Sequence, residues 1–124
     1  MMIKNNNLRF ATSNTLLQIG IPYNVAGAKY LIRAVEIAVE NPEAVMNITK
    51  MLYQRIALEM ATKAANVERA IRHAIDIAWG KNKIAVLNLI FGVDIYNQSD
   101  RPSNGEFIAL LAERLPYIAG RFDI

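Results

Sequence analysis

The sequence predicts an all-α fold: a compact single-domain bundle of about six helices that contains a helix-turn-helix. Three observations carry this reading. Apolar residues recur at helical spacing in several segments, while the one alternating piece, Val93-Asp94-Ile95-Tyr96, has no partner strand. Glycine and proline fall between those segments, where helices stop and start. The chain has 124 residues, 53% of them apolar, which is enough for one core.

In chain order, residues 1–12 (MMIKNNNLRFAT) are polar and asparagine-rich, and are expected to form a loosely ordered leader to a domain over 13–124. Ser13 or Asn14 is expected to cap a short helix over Thr15–Ile19, stopped by Gly20 and Pro22. Asn24 is expected to cap the next helix, about 25–41. Its Tyr30, Leu31, Ala34, Val35, Ala38 and Val39 keep helical spacing, and Pro42 ends it. Pro42-Glu43 opens a short helix to about 51, because proline suits a first turn and glutamate favours the helix dipole. Tyr53–Met60 continues helically, either in one piece with 43–51 or as a second helix. Thr62 is expected to cap a long helix over 63–79, with Gly80 as its stop. Ile84–Phe91 reads as a helix ending at Gly92, and 92–102 as a loop. Ser103-Asn104-Gly105-Glu106 fits a capping box opening a last helix, about 104–115, ended by Pro116.

Several function classes fall away. The chain has no cysteine, so disulfides, thiolate metal sites and cysteine nucleophiles are excluded. A single histidine cannot build a histidine-rich metal site, and no cofactor motif of the Walker or Rossmann type occurs. The N-terminus has no apolar signal core, and no run of 18 apolar residues occurs. A cytoplasmic protein without membrane contact is therefore expected. Asn47-Ile48-Thr49 and Asn97-Gln98-Ser99 then match the glycosylation pattern by chance. No enzyme is expected: Glu36, Glu40 and Glu43 read as a solvated helix face, and His73 has no nearby nucleophile. Tyr30 and Tyr53 read as core residues, and Trp79 as packing against a neighbouring helix.

Charge points elsewhere. The net charge is +3 and the pI about 9.3. Between Thr62 and Lys83 stand five cations (Lys63, Arg69, Arg72, Lys81, Lys83) and two anions (Glu68, Asp76), a local excess equal to that of the whole chain. On a helical wheel, Val67, Ala70, Ile71, Ala74, Ile75 and Ala78 share one side, with Ile77 at its edge. Ala65, Glu68, Arg69, Arg72, His73 and Asp76 share the other, and only Trp79 falls among them against type. The small Ala64 and Ala65 let the helix end approach a partner closely. Arginine's planar donor fork suits guanine and phosphate, and Glu68 can accept from cytosine or pair with Arg72. The preceding Tyr53–Met60 and the short link Ala61-Thr62-Lys63 give a helix-turn-helix layout, with Ala57 at the helix crossing. An amphipathic core helix with a charged outer face fits the pattern equally well.

Further residues resemble a known family. Ile48-Thr49-Lys50-Met51-Leu52-Tyr53, Val67-Glu68-Arg69-Ala70-Ile71-Arg72-His73-Ala74-Ile75 and Ala78-Trp79 resemble the C-terminal effector domain of the stage-zero sporulation regulator A. Ile19-Gly20-Ile21-Pro22, Leu89-Ile90-Phe91-Gly92 and Pro102–Ala109 extend the likeness over about 15–115. The resemblance implies a helical bundle that binds a short promoter element in double-stranded DNA. It also implies tandem pairing, hence a homodimer on DNA, and contact with the sigma subunit of RNA polymerase through about Ile84–Gly92. By the same resemblance Glu68 and Arg69 read bases, and Arg72 contacts base or backbone with His73 beside it. Lys63, Ala65 and Asn66 complete the expected DNA-binding set. Ala65-Asn66 stand where the family has a serine-arginine pair, and asparagine prefers adenine to guanine. Gln54 stands where the family has proline. No receiver domain precedes the effector region, which fits either a domain excised from a longer protein or a stand-alone relative, and the leader Met1–Thr12 favours the stand-alone form. An alternative follows from the missing arginine: an interaction domain that modulates a full-length family member or RNA polymerase.

Overall fold

The computed structural model describes residues 2–120 apart from positions 82, 93, 95, 98 and 99, with positions 2–5 and 84 described in backbone alone. Its regular structure is helical throughout: α1 (Met2–Gln18), α2 (Ala26–Glu40), α3 (Glu43–Met46), α4 (Gln54–Glu59), α5 (Ala64–Gly80), α6 (Ile84–Phe91) and α7 (Asn104–Ala119). A π-helical turn, Thr49–Tyr53, leads directly into α4. The bundle is organised around α2, which packs against α5, α7 and α1. The core between them holds Leu31, Ala34 and Val35 of α2, Ile71, Ala74 and Ile75 of α5, and Phe107, Ile108 and Leu111 of α7. No helix among the described residues is long and apolar enough to cross a membrane.

The expected loose order is corrected for residues 2–12, because α1 runs unbroken from Met2. Leu8, Ala11, Thr12, Thr15, Leu16 and Ile19 are buried at steps of three and four, one helical face set against the bundle. The buried Thr12 hydroxyl donates to the Leu8 carbonyl at 2.7 Å, and Arg9 pairs with Glu36 of α2. Ser13 and Asn14 therefore lie within a helix and cap nothing. Tertiary burial, rather than the weak propensity of an asparagine run, makes this helix. Gly20 stops it as expected, in the left-handed region at φ +93°.

Two more expected caps are absent. The cap position of α2 is Val25, not Asn24, and that of α5 is Lys63, not Thr62; neither end has a side-chain cap. What fixes the start of α2 is its approach to α5. A Cβ on Gly27 would stand 2.2 Å from the Ala70 carbonyl oxygen and 2.7 Å from the Ala74 Cβ, so only glycine admits this crossing. The 43–60 stretch divides into two helical pieces that part at Asn47. α3 is a single turn, and the π-helical turn after it carries Leu52 and Tyr53 into the core.

α7 also passes its expected end. It continues through Pro116 to Ala119. Proline lacks the N–H for this turn, but Leu115 and Ala119 are buried and α7 docks along α1, which offsets the lost bond. Elsewhere local signals hold: α6 ends at Gly92 with φ +66°, and Ser103 and Glu106 form the full capping box. Of the extended piece expected over Val93–Tyr96, positions 93 and 95 lie outside the described residues.

Candidate nucleic-acid interface

Helix α5 divides as its sequence does. Val67, Ile71, Ala74, Ile75 and Ala78 are buried, while Lys63, Ala65, Asn66, Arg69, Arg72 and His73 are exposed and Glu68 is half-buried. Trp79 is also buried. Its ring meets those of Tyr96 and Phe107 edge-on, with centroids 5.8 and 6.2 Å apart, so it anchors the far end of α5 in the core.

The exposed residues fall on two flanks. Asn66, Arg69 and His73 line a shallow cleft with Tyr30 of α2. Glu68 and Arg72 line another with Arg101, Ser103 and Asn104. Lys63 and Ala65 stand at the tip where α5 begins. On the second flank Arg72 Nη1 donates to Glu68 Oε2 at 2.7 Å, a pair one turn apart. On the first, Asn66 Nδ2 donates to Thr62 Oγ1 at 3.2 Å, which orients the amide. Among the described residues Arg69 and Lys63 face no carboxylate within ion-pair distance. The tip carries no side-chain cap and no acidic residue in its first turn. The positive end of the helix dipole is therefore left open to an anion.

The surroundings hold this helix from three sides. The α4–α5 link is short: Thr62 N–H donates to the Ala57 carbonyl at 2.9 Å, and Ala61 takes φ +53°. Ala57 is buried, as a helix crossing requires. α4 is tied to α2 by Glu59, whose two oxygens accept from Arg33 Nε and Nη2 at 2.7 and 3.0 Å, with Arg55 adding a bond at 3.3 Å. The Arg33 hydrogen bond holds the Glu59 carboxyl below its ordinary range, and Glu59 in turn raises the Arg33 value.

The other two supports come from residues that the sequence did not mark. Asn104 Nδ2 donates to both the Tyr53 hydroxyl and the Glu68 carbonyl, each at 3.1 Å, joining α7, the π-helical turn and α5 at one buried point. Burial there pushes the Tyr53 phenol above its ordinary value. Arg101 reaches α5 from the loop, donating to Asp76 Oδ1 at 2.6 Å and to the Arg72 carbonyl at 2.9 Å. Both partners lie far along the chain, and no local spacing signals them.

The family described as "Sporulation initiation factor Spo0A C terminal" matches residues 12–115. The chain belongs to this family. The match starts within α1 and ends within α7, so it contains every residue of α2 to α6. The Spo0A C-terminal domain is a DNA-binding effector domain of a sporulation regulator. The polar face of α5 is thus the solvent-exposed face of a long helix inside a Spo0A C-terminal domain.

Proposed function

We propose that this Spo0A C-terminal domain is a sequence-specific transcription regulator acting in the cytoplasm. It reads the major groove of double-stranded DNA with the first turns of α5, and α4 and α5 form its helix-turn-helix. The observation that carries this is the combination at one helix end: a face with Asn66, Arg69, Arg72 and His73 exposed, an uncapped tip, and an opposite face buried along its length. In this reading Arg69 contacts guanine or phosphate, and the oriented Asn66 amide contacts adenine. Glu68 and Arg72 act as a pair, with His73, Ala65 and Lys63 lining the approach.

Binding-site selection from random duplexes at two salt concentrations tests it. The expected result is a short preferred site whose affinity falls with salt. In the same assay, Arg69→Ala relaxes the preference at one position, at a cost of about 1–3 kcal/mol. No enrichment at either salt concentration overturns the reading.

One observation favours a protein partner in addition. Leu89 of α6 is 82% exposed, on a helix whose Leu87 and Phe91 are buried. This helix is the Ile84–Gly92 segment in which the family resemblance implies the sigma contact, so the exposed Leu89 would lie in a contact with the sigma subunit of RNA polymerase or a full-length family member. Co-purification with wild type, lost in Leu89→Lys while DNA binding persists, is the expected outcome. A stable protein complex without any DNA binding would make the domain an interaction module instead.

A further inference from the structure

We propose that Arg101 is a phosphate-binding residue that flanks the reading helix from outside it, pre-oriented by α5 itself. The inference rests on the reading of α5 as the groove-entering helix. A guanidinium has five N–H donors in one plane. Three are directed at protein acceptors: Nε to Asp76 Oδ1 at 2.6 Å, Nη2 to the Arg72 carbonyl at 2.9 Å and Nη1 to the Pro102 carbonyl at 2.7 Å. That arrangement fixes the plane of the fork and, among the described residues, leaves one N–H on each terminal nitrogen with which to meet phosphate oxygens. The side chain is 29% exposed, so it is held by the protein and still open to solvent.

Its position agrees. Arg72 lies seven residues beyond Ala65, about 10 Å along the helix axis. The major groove is about 8.5 Å deep. With the first turns of α5 in the groove, the Asp76 end of the turn that Arg101 grips lies farther along the helix, toward the phosphates that line the groove. Asp76 neutralises part of the charge there, but its carboxylate is engaged by Nε and not by the terminal nitrogens. The loop that carries Arg101 leads into the capped start of α7, and Asn104 fastens that start to the Glu68 carbonyl. Arg101 is thus tied to α5 at both ends of its short span.

The experiment measures affinity for a duplex selected by the wild-type protein, and for a scrambled one, across about 50–200 mM salt. Arg101→Ala is expected to weaken both duplexes by a similar factor, about tenfold, and to flatten the log affinity against log salt slope by about 0.9, the contribution of one phosphate. Arg101→Gln, which keeps a donor for the loop, should flatten it equally, and Arg101→Lys should preserve it. The slope reports charge neutralised per bound molecule, so a loss of folded fraction does not imitate it. An unchanged slope in Arg101→Ala and Arg101→Gln overturns the inference while wild-type binding leaves the proposed function intact. So does a slope flattened as much by Arg101→Lys. Failure of the wild type to bind any duplex overturns both.

Discussion

Helices α5 and α7 begin in opposite ways. At α7, Ser103 Oγ accepts from the Glu106 N–H at 3.2 Å and Glu106 Oε1 accepts from the Ser103 N–H at 2.8 Å, so the end is closed on itself. At α5, Lys63 occupies the cap position in extended conformation, with no side-chain acceptor and no first-turn carboxylate. One helix end has a first-turn donor met by a side chain and its dipole opposed by a carboxylate. The other has neither a side-chain acceptor nor a carboxylate. The closed end is the one that docks, through Asn104, onto the rest of the bundle. The open end is the one that faces outward beside Asn66 and Arg69. Because α5 gains nothing from a cap, its placement depends on packing elsewhere, above all on the Gly27 crossing.

That contrast can be broken or sharpened by substitution, taken here from the largest effect on stability to the smallest. Gly27→Ala pushes a methyl into the Ala70 carbonyl and should destabilise the fold by about 3 kcal/mol, with DNA binding reduced beyond the loss of folded protein. Thermal melting beside duplex titration measures both, and a melting point at the wild-type value would show that packing does not place α5. Asn104→Ala removes the shared donor of Tyr53 and Glu68 at a buried point and should cost about 2 kcal/mol by denaturant titration. Ser103→Ala should cost about 1 kcal/mol, whereas Thr62→Ala should stay within about 0.5 kcal/mol. Equal costs would erase the distinction between the two helix ends. Lys63→Asp installs the missing acceptor at α5. It should raise stability by about 0.5 kcal/mol while weakening DNA binding, a divergence that a purely structural tip would not produce.

The smallest effect is the share of the pH dependence that comes from the start of α7. The Ser103 backbone hydrogen bond holds the Glu106 carboxyl below its ordinary 4.5. Its contribution is therefore complete above that value and disappears as pH falls through the depressed one. Melting curves between about pH 6 and 3 should show a wild-type loss that Glu106→Gln reduces, the remainder coming from Glu59 beside Arg33.

The sequence was most legible where its signals are local. The α6 span, the Gly92 stop, the Ser103–Glu106 box and the two faces of α5 each follow from residues within a few positions of one another. The candidate site was legible to the same depth, since Lys63 to His73 lie on one helix and its periodicity separates them from the core. Long-range contacts account for what it concealed. The asparagine-rich start looks unstructured until Leu8 and Ala11 find the bundle. Pro116 looks like a stop until Leu115 and Ala119 are buried around it. Asn24 and Thr62 have the chemistry of caps, but Gly27 and the tight Ala57–Thr62 turn set where those helices begin. Arg101 and Asn104 act on α5 from 25 or more positions away, a separation that no residue pattern records.

The Glu68–Arg72 ion pair has a consequence for how any preferred site can be described. One Arg72 N–H is donated to one Glu68 oxygen, so in the proposed reading either side chain would meet a base in an arrangement that the other shares. Substitutions at the two positions should then be non-additive, with a coupling of about 0.5–3 kcal/mol. The base choices opposite them should covary across selected sites. A table of independent preferences, one column per base pair, would misstate such a site, because two of its letters are read as one syllable.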